Sequence, residues 1–274
     1  MKLGVLVHLW KDTDVDAAFG HARELGFGYC QLVCWQKELF TPEIAEQVKA
    51  ACKKHSLTIT TFWCGWSGPT AWNFTEGPAT LGLVPTEYRY QRMQELMAGS
   101  DFAKLIGVDK VATHVGFLPE NPCTTEFTAV VAAIKVVANY CKANGQYFLF
   151  ETGQETPVTL LRTIQAVGTG NLGINLDPAN LILYGKANPV DALDVFGKYV
   201  MDIHGKDGCY PTDGNSLGAE TPIGKGKVNF PAFVAKLKEI GYDATITIER
   251  EIWGDQQTKD ILEAKVLLEA LIAD

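Results

Sequence analysis

The sequence predicts a single (β/α)8 domain over residues 1–274, the closed TIM-barrel architecture of the α/β class. Three observations point there. Short β-branched or aromatic runs alternate with longer amphipathic segments, and the alternation repeats eight times. Each unit takes about 34 residues, the spacing of a strand and its returning helix. No linker, low-complexity tract or change of composition divides the chain. A doubly wound open sheet uses the same alternation but rarely runs to eight strands so evenly spaced.

Residues 2–8 read as the first strand and 15–25 as the first helix, with Gly26 where a left-handed C-cap needs glycine. The second unit pairs residues 29–34 with 41–55, where Thr41 is an N-cap, Pro42 suits the first helical position and Glu43 falls in the first turn. Residues 58–63, a long loop and the helix 86–106 make the third unit, and 110–114 with 124–143 the fourth. In the second half, strand 147–151 leads to helix 157–167 and strand 172–177 to helix 189–196. Strand 199–204 leads to helix 230–240, and strand 244–249 to helix 258–272.

Composition narrows the function. The 24 Lys and Arg against 32 Asp and Glu give a net charge of −8, which repels a phosphate backbone and argues against a nucleic-acid partner. No apolar run reaches the ~18 residues of a membrane span, and Met1-Lys2 leads directly into a strand without a signal-cleavage pattern. The expectation is a soluble, cytoplasmic protein with no membrane partner. The seven cysteines are scattered and form no CxxC pair, so most of them read as small buried apolar residues rather than a disulfide or zinc framework.

In such a barrel the chemistry sits at the C-terminal ends of the strands. Those ends carry His8, Cys34-Trp35, Trp63, His114, Glu151, Asp177, His204 and Glu249. A carboxylate closing an apolar run such as Phe148-Leu149-Phe150-Glu151 costs several kcal/mol to bury unpaired. One such residue alone reads as a helix cap or half of an ion pair. Four consecutive strands ending in Glu, Asp, His and Glu point instead to one divalent cation that satisfies all of them. The oxygen-rich, thiolate-free set favours Mn2+ or Mg2+, with Co2+, Fe2+ or Zn2+ as the alternatives.

The second half holds the runs FLFET at 148–152, GINLDPA at 173–179, VMDIHGKD at 200–207, PIGKGKVNF at 222–230 and GYDATITIERE at 241–251. In these runs, and over the whole chain, the sequence resembles the xylose-isomerase-like barrels. That family includes sugar epimerases such as D-tagatose 3-epimerase, hydroxypyruvate isomerase and inosose dehydratase. The resemblance implies that Glu151, Asp177, His204 and Glu249 bind one metal and that Glu151 and Glu249 also serve as the catalytic acid/base pair.

The chemistry so implied is proton transfer on a sugar through an enediolate that the metal stabilises. Removal of a proton on one face and return on the other epimerises a centre, and transfer to the adjacent carbon interconverts aldose and ketose. The rival is a dehydratase or lyase that uses the same intermediate of a keto-sugar or keto-inositol to expel a β-substituent. A non-catalytic sugar-binding protein would lack a ligand or base, and none is missing. An apurinic-site endonuclease shares the barrel but needs a histidine-rich three-zinc cluster, against five histidines and a charge of −8 here.

Two positions depart from the ketohexose epimerases of that family. Asn180 stands where they carry a histidine three residues after the metal aspartate, and the run His204-Gly205-Lys206-Asp207 lacks their arginine, as in the inosose dehydratase branch. Asn180 and Lys206 are therefore expected at the substrate, unless Lys206 merely pairs with Asp207. His114, which ends the fourth strand beside Glu151, and His8, which ends the first, are candidate substrate contacts, although a buried structural role is open to His114; His21 and His55 sit in outer helices.

The loop 64–85 carries Trp66, Trp72 and Phe74 and, with Trp35 and Trp63, offers flat apolar surfaces to a sugar or to a partner subunit of a homodimer or homotetramer. A second long loop, 205–228, contains Gly224-Lys225-Gly226-Lys227, either a phosphate cradle or a tight turn. Arg250 points outward by strand alternation and should pair with outer structure.

Overall fold

Eight parallel strands close into a barrel in a computed structural model that describes residues 1–274. They are β1 (Lys2–Leu9), β2 (Tyr29–Cys34), β3 (Thr58–Cys64), β4 (Lys110–Thr113), β5 (Tyr147–Glu151), β6 (Leu172–Leu176), β7 (Val200–Gly205) and β8 (Thr245–Ile248). Each strand pairs with its sequence neighbours, and β8 returns to β1 in the register Lys2↔Thr245 to Val5↔Ile248. Closure leaves no free sheet edge.

The principal helices between the strands are α1 (Val15–Glu24), α2 (Pro42–His55), α3 (Thr86–Leu105), α4 (Thr125–Ala143), α5 (Pro157–Val167), α6 (Pro189–Phe196), α7 (Phe230–Glu239) and α8 (Asp255–Ala273). Their starts follow local chemistry. Thr41, Thr124 and Thr156 accept hydrogen bonds from the backbone N–H three residues on, and proline occupies the first turn of α2, α5 and α6. No helix is long and apolar enough to cross a membrane.

Strand alternation sorts the side chains into two environments. Outward residues such as Val5, Phe62, Phe148, Phe150, Ile174 and Ile246 join the helices in one continuous apolar core. Inward residues fill the barrel itself, where Val33, Trp63, Ala112 and Leu149 form a small separate cluster. A buried polar tier shares that interior: Thr61 donates to Asp202 at 2.7 Å, and Gln31 donates to Asn175 at 3.0 Å. Inward polar groups are tolerated because they satisfy one another.

The strand ends differ from the sequence reading in an informative way. The ladders of β4, β6 and β8 stop one residue short of His114, Asp177 and Glu249. Asp177 instead caps a short helix, Pro178–Leu183, between the expected strand 172–177 and helix 189–196; its Oδ1 accepts the N–H of Asn180 at 2.9 Å. The long loops also acquire order, as the helix Gly77–Thr80 and as a two-stranded antiparallel ribbon of Asp207–Gly208 with Glu220–Thr221. Gly82, at φ +67°, lets the first loop press against the backbone after β4, where a Cβ would lie 2.0 Å from Val115.

Candidate metal centre

The inward parity of β5 to β8 brings Glu151, Asp177, His204 and Glu249 to one point of the barrel mouth. One ligand atom from each lies within 4.8 Å of the others. His204 Nδ1 stands 3.1 Å from Glu151 Oε1, 3.0 Å from Glu249 Oε2 and 3.9 Å from Asp177 Oδ2. Donors about 2.1 Å from a divalent ion at right angles lie about 3 Å apart, so the spacing suits a shared cation. His204 Nδ1, Asp177 Oδ2 and Glu249 Oε2 are buried without a hydrogen-bond partner. Such orphaned atoms facing one another are what a metal ion satisfies at once.

Neighbouring groups hold each ligand in place. The Trp63 indole N–H donates to Glu151 Oε2, and His114 Nε2 lies 3.5 Å from Glu151 Oε1. Thr152 Oγ1 accepts the N–H of Asp177 at 2.9 Å and donates to its carbonyl at 2.8 Å, which fixes the turn after β6. Gln31 Oε1 lies 2.9 Å from His204 Nε2 and takes its proton in the tautomer that frees Nδ1 for a metal. Asn175 Nδ2 lies 3.1 Å from the same nitrogen and would favour the other tautomer; ligation at Nδ1 selects the first.

The charges are tightly balanced. Burial works against a charged Glu249, but Lys206 and His204 outweigh it and hold the carboxyl well below the usual range. Burial likewise opposes charge on Glu151, where His204 and His114 prevail and lower it. Burial raises Asp177 far above a normal carboxyl despite Lys206. His204 is pushed far up against its own burial by Glu151 and Glu249. The carboxylates thus draw positive charge to His204, and a divalent cation meets the same demand.

Four candidate ligands thus stand at the strand ends of a closed barrel. Residues 19–269 match the family profile described as "Xylose isomerase-like TIM barrel". The chain belongs to this family. A crystal structure of a xylose isomerase domain protein from Planctomyces limnophilus is similar over 99% of this xylose isomerase-like chain and 98% of its own, at 34% identity and a TM-score of 0.91. An uncharacterized protein from Methanocaldococcus jannaschii is 34% identical over 110 residues, 39% of this chain; the match spans only about a third of that relative, 36% of its length.

Two more distant structures share the fold of this xylose isomerase-like barrel. A D-tagatose 3-epimerase-like protein has 20% identity and a TM-score of 0.75, covering 100% of this chain and 97% of its own. The probable 3-DHS dehydratase AsbF from Bacillus anthracis has 21% identity and a TM-score of 0.68, covering 98% and 99%.

A cavity of about 250 Å3 opens above the xylose isomerase-like centre, and His8, Trp35, Trp63, His114, Asn180 and Lys206 all line it. The Trp35 and Trp63 rings meet at 4.9 Å, and Trp72 lies 5.2 Å from His114. Lys206 does not pair with Asp207. Its ammonium lies 2.6 Å from Glu251, 3.5 Å from Glu249 and 3.7 Å from Asp177, because inward parity carries it to the mouth. Asp207 instead accepts the N–H groups of Gly208, Gly224, Gly226 and Val228. The phosphate-cradle reading of 224–227 therefore falls, since an internal carboxylate already holds the glycine amides, and the tight turn stands. Arg250 pairs outward with Glu220 and Asp260, as strand alternation requires.

Sequence reasoning missed Gln31 and Asn175 behind His204, and Glu251 and Tyr184 in the cavity wall. The first two had a signal. Each is a polar residue on the inward parity of an apolar strand, two positions before Val33 and Asp177 respectively.

Proposed function

We propose that the chain is a divalent-metal-dependent sugar isomerase or epimerase, with Glu151 and Glu249 moving a proton to and from a carbon beside a carbonyl. The observation that carries this reading is the pair of carboxylates at the two ends of the β5–β8 arc, each about 3 Å from the same His204 nitrogen and each held charged by cationic neighbours. A divalent cation held by Glu151, Asp177, His204 and Glu249, Mn2+ as first choice, supplies Lewis-acid stabilisation of the charge that develops on the substrate oxygens.

The chain's own residues divide the remaining work. Trp63 fixes the orientation of Glu151, and Lys206 keeps Glu249 ionised, so both stand ready as bases. Lys206, His8, His114 and Asn180 supply polar contacts for substrate oxygens. Trp35, Trp63 and Trp72 exclude water from one side of the cavity and face the C–H side of a sugar ring. A small keto- or aldose sugar is the substrate class these walls suit.

A second reading, dehydration of a keto-sugar or keto-inositol, rests on Lys206. Its ammonium is charged, buried and 3.5 Å from Glu249, so it is placed to protonate a leaving hydroxyl after Glu249 has taken the proton from carbon.

Proton NMR in D2O with the Mg2+-loaded protein and a panel of ketoses, aldoses and keto-inositols separates the readings. The proposal expects metal-dependent loss of one C–H signal, abolished by Glu151→Gln and by Glu249→Gln. An unsaturated product would favour dehydration. No exchange with any member of the panel would overturn the isomerase and epimerase reading.

A further inference from the structure

We infer that the mouth holds a second, aromatic compartment beside the metal cavity that takes the second ring of a two-ring glycoside. The inference rests on the sugar reading above for the first ring. It starts from surface that the proposed chemistry leaves unused. Trp253 is 71% exposed and Trp10 39%, large apolar faces that a chain does not ordinarily leave in water without a partner. They are not scattered. Both rings gather on His8, Trp10 stacked on it at 6.0 Å with 2° between the planes and Trp253 edge-on at 5.5 Å.

Below these rings lies a cavity of about 460 Å3 between β1, β8 and the helices α1 and α8. Val5, Val7, Ile248 and Ile261 line it together with polar His21, Arg250 and Gln257. It shares a wall with the metal cavity, since Leu6, His8, Glu249 and Glu251 line both. Two groups at the shared wall have capacity for a ligand. His8 Nδ1 has no hydrogen-bond partner, and Glu251 keeps a 59% exposed side chain although it reaches the buried Lys206 at 2.6 Å.

Trp35, Trp63 and Trp72 line the metal cavity after β2 and β3, and a substrate longer than one ring extends past His8 towards Trp10 and Trp253. Aromatic faces with polar groups at one edge fit a ring with a C–H or π face and a bridging oxygen, which describes a glycoside with a sugar or aryl aglycone. A free monosaccharide would leave the compartment unfilled.

The test compares methyl β-D-glucoside with phenyl β-D-glucoside on the metal-loaded protein, by calorimetry and by saturation-transfer NMR. The expected result is at least about tenfold tighter binding of the two-ring probe, with saturation of its phenyl protons. Trp10→Ala/Trp253→Ala should erase that advantage and leave one-ring affinity within about twofold. A single Trp253→Ala variant, at a more exposed position, serves if the double variant does not fold. Equal affinity for the two probes, no binding of either, or an advantage that survives the variants would overturn the inference. So would a wild-type oligomer that the variants dissociate, since the patch would then join copies of the chain. Because the readout is binding, it stands or falls separately from proton exchange at the metal.

Discussion

His204 works through both faces of its ring. Nδ1 looks into the ligand cluster, while Nε2 is 2.9 Å from Gln31 Oε1, and Gln31 in turn donates to Asn175 at 3.0 Å. Partners of this kind fix a tautomer, and their loss commonly costs 10–100-fold in metal affinity. Gln31→Ala should therefore weaken Mn2+ binding by about that factor in calorimetry while the far-UV spectrum is unchanged; an unaltered affinity would show that Gln31 only fills space. Glu155 makes a different prediction. Burial pushes its carboxyl up to about 8. A carboxyl raised on folding keeps its proton in the native state while the unfolded chain ionises, so stability falls as pH climbs from about 4.5 to about 8. Glu155→Gln removes that loss. Relative to the parent it should gain about 1.4 kcal/mol per pH unit across this window in denaturant melts, and a pH-independent difference would contradict the burial argument. Candidate ligands at the strand ends, such as Glu151, were legible because a carboxylate closing an apolar run demands compensation. Glu155 was not, because nothing in Gly153-Gln154-Glu155 tells which side chain of a loop turns inward.

At the level of elements, Arg92 of α3 organises the aromatic loop. Its fully buried guanidinium donates to the carbonyls of Ser67, Pro69, Thr80 and Gly82 at 2.7–3.1 Å, and Glu95 accepts from the N–H and hydroxyl of Ser67. Arg92→Met would strand several carbonyls and should cost about 3 kcal/mol, with protease cleavage appearing between residues 67 and 82. Retained stability and an uncut loop would mean that Arg92 is dispensable there. Gly226→Ala probes the other long loop, since the added Cβ would lie 2.1 Å from Asp207 Oδ1 and disrupt the carboxylate-held turn. The repeating units were readable from periodicity and capping residues. The helix Pro178–Leu183 was not, because Asp177 was read only as a strand end, although Asp followed by Pro is also an N-cap with proline at the first helical position. The lysines of 224–227 misled for a related reason: composition admits a phosphate cradle, and only tertiary contact reveals that Asp207 occupies it.

For the whole molecule, the barrel converts local alternation into a site. Closure in sequence order puts β5, β6, β7 and β8 side by side, and their common inward parity turns four distant residues into one cluster. This was legible because the fold supplies the geometry once the strands are counted. The aromatic compartment at Trp10 and Trp253 was not, since it lies between the first and last units and nothing local couples them. A site of this kind also links metal to stability. Free Mn2+ at about 100 times its dissociation constant should stabilise the protein by about 2.7 kcal/mol, visible as a chelator-reversible rise in melting temperature.

The most direct test of the four-ligand centre is calorimetric titration of chelator-treated protein with Mn2+, beside Asp177→Asn and His204→Ala. The account expects one site per chain in the parent and at least about 100-fold weaker binding in both variants. No binding by the parent, or an affinity that neither substitution changes, would contradict it.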